Sequence, residues 1–388
     1  MDLSIFFNPI EEYQDPSFAE AQALYQHIKV HHEQLPDWRQ ADIALIGLCE
    51  ERGAPDNQGC AQGAAAIRAQ LYGLKKGTGA YKIVDLGDLR SGIRLEDTYA
   101  RIKEVCEHLL DHQTIPVLLG GSHDLMLGQF YAYQHLDRII SIANIDARLD
   151  VEDSERRGMH HHHLLKILTH QPNYLFNFNQ LGHQAYLNSS TAVEIFERLY
   201  FNLHSVGKIR EDINEIEPNI READMLSIDL SALRMDDAPA NLLAEPFGLS
   251  AEELCQICWF AGLSEHNSSL GFFELNPSAD IRHKTARITA IALWYYIEGF
   301  YHRQGQLDFQ QGHFQKYLVS LDGLPASNSH TLTFYKHLSS EKWWMEVAYP
   351  LVEQPLPPCI VPCSYQDYLR AVEGEVPTRW LNTHAKLL

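Results

Sequence analysis

Short apolar runs recur along most of the chain: DIALIGL at 42–48, YKIVDLG at 81–87, TIPVLLGG at 114–121, RIISIANID at 138–146, ADMLSIDL at 223–230 and SLGFFEL at 269–275. Several are apolar at consecutive positions, the pattern of strands covered on both faces. Between them lie longer segments, among them EDTYARIKEVCEHLLDHQ and AEELCQICWFAGL, whose apolar residues follow the 3.6-residue period of a helix. Strands alternating with crossover helices predict an α/β fold of three layers, a central mostly parallel sheet with helices on both faces.

The alternation begins near residue 41 and stops near residue 304. It predicts an N-terminal segment (1–40) packing on the core, a catalytic-type domain (41–304) and a C-terminal extension (305–388). Within the extension, Tyr317 to Leu388 is rich in Trp, Tyr and Pro, a composition suited to ordered structure. A composition of 45% hydrophobic and 21% charged residues is that of a globular chain with a sizeable core.

The formal charge of -20 disfavours nucleic acid and anionic membrane surfaces as partners, because both are negative themselves. No apolar stretch approaches the roughly 20 residues needed to span a bilayer, and no basic-then-apolar leader opens the sequence, so a cytoplasmic location is expected. Seven cysteines suit free thiols in a reducing compartment. Cys255 and Cys258 form a C-x-x-C, but within an apolar helical pattern, where core thiols are expected rather than a zinc or redox site.

In parallel sheets ligands gather at the carboxyl ends of strands, and the polar motifs fall there. Gly120 to Asp124 (GGSHD) follow one run, Asp146 to Asp150 (DARLD) another, and Asp229 and Glu274 end two more. His123, Asp146, Asp150 and Asp229 offer one nitrogen and three oxygen donors, a set that suits a fairly hard divalent ion such as Mn(II), with Zn(II), Fe(II) or Co(II) also open. Taken singly, each acid also suits a helix cap or an ion pair.

These motifs resemble those of the arginase-type ureohydrolases. GGSHD is similar to that family's G-G-x-H-x, DARLD to D-A-H-x-D, SIDLSALRMDDAP to S-x-D-x-D-x-x-D-P-x-x-A-P, and ELNP to E-x-N-P. Upstream, GCAQGAAAIR at 59–68 and DLGD at 85–88 also match, so the resemblance spans about 40 to 303. It implies an arginase-like fold and hydrolysis of a C–N bond in a guanidino, amidino or formimino group, with water activated between two Mn(II) ions. It also implies that His123, Asp146, Asp150 and Asp229 hold the first ion, that Glu274 anchors the substrate's cationic nitrogen, and that one of His160 to His163 shuttles protons, His161 fitting best by its spacing from Gly158.

The chain departs from that pattern where the second ion should be held: Arg148 replaces a histidine and Ser231 an aspartate. A guanidinium has no lone pair to give and a hydroxyl is a poor substitute for a carboxylate, so at most one ion is expected. One Mn(II), three aspartates and Arg148 sum to zero charge, as do two Mn(II) and four aspartates. Arg148 is therefore expected to pair with Asp146 or Asp229 in place of the lost ion.

Arg234 stands where the family has an acid, and together with Arg148 it predicts a cationic rim that disfavours arginine or agmatine and favours a small substrate carrying carboxylates. A formimidoylglutamase-like hydrolase is thus expected, with Arg148, Glu274 and His161 as catalytic candidates and Arg148, Arg234 and Glu274 as substrate-binding ones. The alternative is an impaired pseudoenzyme that binds a ligand or partner on the same fold. Deacetylases sharing this fold are disfavoured, because the ion they keep resembles the one lost at Arg148. A homo-oligomer is left open.

Overall fold

The computed structural model describes residues 2–11, 13, 15–136, 138–151, 158–305, 313–321, 331–349 and 358–388. Parts of the 305–388 extension therefore lie outside the described residues. Ten strands form the central sheet: β1 (Phe7–Asn8), β2 (Ile28–Val30), β3 (Ile43–Leu48), β4 (Ile83–Leu89), β5 (Ile115–Leu119), β6 (Ile140–Ile145), β7 (Leu175–His183), β8 (Asn202–Ser205), β9 (Met225–Asp229) and β10 (Ser269–Phe273). Their order is β1-β4-β3-β5-β10-β9-β6-β7-β8, with β2 also on β4, and every pairing is parallel except β1 with β4. The six runs anticipated from hydrophobicity are β3, β4, β5, β6, β9 and β10.

One face of the sheet buries Leu45, Val117, Ile145 and Phe272 in a cluster with Ile67, Leu254 and Leu293. Those last three lie on the helices Gly63–Leu71, Ala251–Leu263 and Lys284–Tyr301. The other face buries Ile46, Leu118, Ile142 and Phe178 with Ile102, Phe130 and Leu164, from the helices Leu95–Asp111, Met126–Tyr131 and His163–Leu168. A sheet packed on both sides explains why its central strands are apolar at every position. Cys258 is buried in the first cluster, and every cysteine is a free thiol. Among the described residues, no helix is long and apolar enough to cross a membrane.

The topology creates the site. From β3 the chain lays β4 on one side and β5 on the other, then places β6 three positions from β5, with β10 and β9 filling the interval. Loops leaving β5 and β6 thus open a crevice at a switch point. The close approach of layers there is set by Gly120, whose φ of 78° is in the left-handed region and where a Cβ would lie 2.6 Å from the backbone nitrogen of Ala64.

The two upstream motifs meet in the core. Arg68, fully buried, donates from Nε and Nη2 to the two oxygens of Asp85 at 2.8 and 2.9 Å and from Nη1 to Asp88. Tyr72 also donates to Asp85 at 2.8 Å. The GCAQGAAAIR and DLGD segments therefore form a structural ion-pair network joining the helix Gly63–Leu71 to β4.

A second, antiparallel sheet follows: β11 (Phe314–Ser320), β12 (Thr331–His337), β13 (Trp343–Val347) and β14 (Cys359–Cys363). It has its own core of Val319, Phe334, Met345 and Val361. It docks through Arg221, whose guanidinium lies 4.2 Å over the Trp344 ring and donates to the carbonyls of Trp343 and Cys363 at 3.1 and 3.2 Å.

Candidate metal centre

Four adjacent strands, β5, β10, β9 and β6, deliver the site residues from their carboxyl ends. His123 opens the short helical turn His123–Leu125 after β5, Asp146 follows β6, Asp229 is the last residue of β9, and Glu274 follows β10. His123 Nδ1 stands 3.3 Å from Asp146 Oδ2, 3.4 Å from Asp229 Oδ2 and 3.7 Å from Asp150 Oδ2. All four side chains are buried. Donor atoms about 2.1 Å from a shared ion stand roughly 3.0 to 3.5 Å apart, so the spacing of His123, Asp146 and Asp229 fits one divalent cation, with Asp150 at the margin. His123, Asp150 and His163 form a second, overlapping group of close donors.

The hydrogen-bond inventory points the same way. His123 Nε2 lies 2.9 Å from Ser227 Oγ, which as acceptor fixes the proton on Nε2 and leaves the Nδ1 lone pair facing the carboxylates. Both His123 Nδ1 and Asp146 Oδ2 are buried without a hydrogen-bond partner among the described residues, an arrangement that a bound ion would satisfy. Without one the cluster is electrostatically tense. Burial disfavours charge on His123, yet the three aspartates outweigh it and hold the imidazole well above its ordinary value. Burial, Asp150 and Asp229 push Asp146 up.

The outward oxygens are already engaged. Asp146 Oδ1 accepts from the backbone N–H of Arg148 at 2.8 Å and from Ser231 Oγ at 3.3 Å. Asp229 Oδ1 accepts from the backbone N–H of Ser231 at 2.6 Å and from Asn241 Nδ2 at 3.3 Å. Donors of the chain itself thus occupy the carboxylate edge facing away from His123.

The arginines depart from expectation. The Arg148 guanidinium reaches not Asp146 or Asp229 but the Leu243 carbonyl at 3.5 Å and Glu245 at 3.7 Å. The physical reason is local: a peptide N–H two residues along already serves Asp146, so the long side chain runs to the next carboxylate on the rim. Arg234 Nε donates to Asp237 at 2.6 Å. Both cations are therefore paired nearby, and the rim is less cationic than the residue types alone imply.

Glu274, buried and at φ 67°, accepts from the His123 N–H at 2.7 Å with Oε1 and from Asn57 Nδ2 at 2.6 Å with Oε2. It caps the turn that carries His123. Burial and Asp229 drive its carboxyl well above the ordinary range. Asp150 also has positive φ, 39°, so two residues of the site hold strained backbone. His161 presents Nε2 to Asp56 at 3.1 Å, with Nδ1 3.8 Å from Asp150 Oδ1. Burial lowers its pKa, but Asp150 and Asp56 outweigh that and push it up to about 9. Beside Asp150 and His161, a cavity of about 30 Å³ is lined by Arg148 and Asn188, space for about one or two water molecules.

Sequence reasoning missed Asn57, Ser227 and Asn241, which position the cluster without a chemistry of their own. Ser227 opens the SIDLSALRMDDAP motif and sits two residues before Asp229 on the same strand face, the signals that could have assigned it a positioning role.

Fold and cluster together define an α/β protein of arginase-like architecture with a candidate metal centre at its switch point. The sequence matches the arginase family over residues 41–298, and the chain belongs to that family. A formimidoylglutamase of Photorhabdus laumondii is 25% identical over 295 residues, covering 72% of this chain and 92% of that protein. One of Ralstonia nicotianae is 28% identical over 284 residues, covering 66% and 85%. Among solved structures, Trypanosoma cruzi formiminoglutamase with Mn2+ superposes with TM-score 0.66 at 20% identity, covering 73% of this chain and 99% of that one. Bacillus subtilis formimidoylglutamase gives TM-score 0.66 at 20% identity, covering 76% and 95%. The structural likeness shows the fold.

Proposed function

We propose that this chain is a metal-dependent hydrolase of C–N bonds in linear amidines, converting formiminoglutamate and water to glutamate and formamide. The observation that carries this reading is the convergence of His123 Nδ1 on three buried aspartates, with two donor atoms left unsatisfied. The names of the relatives support the substrate class. His123, Asp146, Asp150 and Asp229 would hold one ion, Mn(II) by its hard donor set, with Zn(II), Fe(II) or Co(II) less suited to three carboxylates. Such an ion, when bound, supplies Lewis acidity and lowers the pKa of water.

The chain's own residues do the rest. Ser227 and Glu274 orient His123 through its side chain and its backbone. Asp150 and His161 line the small cavity, which has room for the attacking water, and His161 would take up and return a proton as water adds to the formimino carbon and the glutamate nitrogen leaves. Arg148, beside that cavity, would exchange Glu245 for a substrate carboxylate. Glu274 acts in this reading through His123 rather than as a substrate anchor, and Arg234 is held by Asp237.

The second reading, a catalytically impaired arginase-fold protein that binds a ligand or partner, is favoured by the occupied outer oxygens of Asp146 and Asp229. Assaying formamide release from formiminoglutamate, with guanidino substrates alongside, separates the two. Release that Asp229→Ala abolishes supports the hydrolase; no release from any substrate by the metal-loaded chain supports the second reading.

A further inference from the structure

Next to the His123 cluster, but on its outer side, three donors from two loops come together. Asp56 lies in the loop after β3, and His160 and His161 form the short turn Met159–His161. Asp56 Oδ1 stands 2.9 Å from His160 Nε2, and Asp56 Oδ2 stands 3.1 Å from His161 Nε2. One donor atom from each of the three residues lies within 4.8 Å of the others.

The loops are held for this meeting. His160 donates from its backbone N–H to the Gly53 carbonyl at 3.2 Å, and its Nδ1 lies 2.7 Å from the same oxygen. Gly158, at φ 89°, permits the contact, since a Cβ there would fall 2.4 Å from Pro55 Cδ.

The placement of the donor atoms is what points to a ligand. A carbonyl can only accept, so Nδ1 of His160 is occupied by Gly53, and Nε2 is the ring atom that faces Asp56. That nitrogen is buried, on a residue 2% exposed, and makes no hydrogen bond although Asp56 Oδ1 is close. A divalent cation lying beside both would take a donor atom from each, with His161 Nε2 as the third. Donors about 2.1 Å from one ion at right angles stand about 3.0 Å apart, close to both contacts here.

We propose that Asp56, His160 and His161 form a second divalent-cation site, distinct from the His123 centre and outside the positions the arginase resemblance assigns to metal. Two imidazole nitrogens and one carboxylate oxygen suit a borderline ion such as Zn(II), Fe(II) or Co(II), where the oxygen-rich His123 set suits Mn(II). Three protein donors leave open positions for water. His161 joins the two sites: with Nε2 on the outer ion, its Nδ1 faces Asp150 Oδ1 at 3.8 Å and stays available for the proton transfer proposed above.

The test uses Co(II) added to the metal-free full chain, read by elemental analysis and by the visible d–d spectrum. About two ions per chain are expected in the wild type, with Asp56→Asn and His160→Gln each falling to about one and losing the same spectral component. Asp229→Asn should also fall to about one, but keep that component, so failure of the His123 centre is told apart from failure of this site. Asp56 is 40% exposed at its side chain, so Asp56→Asn tests the site without disturbing the core. A count and spectrum unchanged by both Asp56→Asn and His160→Gln, or a wild-type count of about one abolished by Asp229→Asn, would overturn the proposal.

Discussion

The backbone N–H of Arg148 donates to Asp146 Oδ1 at 2.8 Å while the guanidinium of the same residue turns away to Glu245. At the position where the arginase resemblance implies a histidine ligand, the side chain therefore brings no cation to Asp146, and the peptide N–H and Ser231 hydroxyl hydrogen-bond that carboxylate edge instead. Reversal follows as a prediction. Arg148→His with Ser231→Asp should raise Mn(II) from about one to about two ions per chain, while either change alone leaves about one, because the two new ligands act as a unit. Elemental analysis after Mn(II) loading checks it.

Ser227 Oγ holds the His123 ring through Nε2 at 2.9 Å. Ser227→Ala should weaken Mn(II) binding by about 10- to 100-fold with the fold retained, since an outer hydrogen bond of this kind orients the ligand ring. A Mn(II) titration of wild type and variant, paired with circular dichroism, reads the effect.

Arg68, itself fully buried, is locked to the buried Asp85 and to the partly exposed Asp88. Arg68→Met leaves two carboxylates without their cation and should cost roughly 3–5 kcal/mol, the range for breaking a buried pair. Denaturant unfolding measures it. A loss under 1 kcal/mol would show that the network is dispensable.

Asp224 offers a pH test away from the metal centre. Burial raises its pKa from 3.8 to about 6, against the opposing Ser141 N–H and Arg138. The folded state therefore binds the proton more tightly than the unfolded one. The stability this contributes is complete below about pH 4 and lost as pH rises through 6. Asp224→Asn, neutral throughout, should match wild type near pH 4 and exceed it near pH 7 by up to ~3 kcal/mol. Equal unfolding midpoints at both pH values would refute this.

Much of the frame was legible because burial on both faces leaves uninterrupted apolar runs, as in Ile43–Leu48 and Ile115–Leu119. Strand β7 escaped notice for the opposite reason. Asn177, Asn179 and Gln180 are buried within it, and they are tolerated because partners far along the chain satisfy them: Asn202 and Asn219 donate to Asn179, and Gln180 donates to the carbonyls of Asp146 and Arg148. No local pattern signals a polar residue whose partner is distant.

The same distinction applies within the site. His123, Asp146, Asp150 and Asp229 stand at strand ends in recognisable motifs, whereas the direction of the Arg148 side chain depends on Glu245, nearly a hundred positions on. Nor could the run His160 to His163 be sorted by spacing. The fold sends His160 and His161 toward Asp56, and puts His163 against His123, where burial and that neighbour push its pKa down to about 3.

The central claim is that a single ion at the His123 centre supports hydrolysis. The most direct test measures formamide released from formiminoglutamate by the Mn(II)-loaded chain and by Asp229→Ala. Turnover in the wild type, lost in the variant while the fold persists, is the predicted result. A wild-type chain that binds Mn(II) at this centre yet releases no formamide would contradict it.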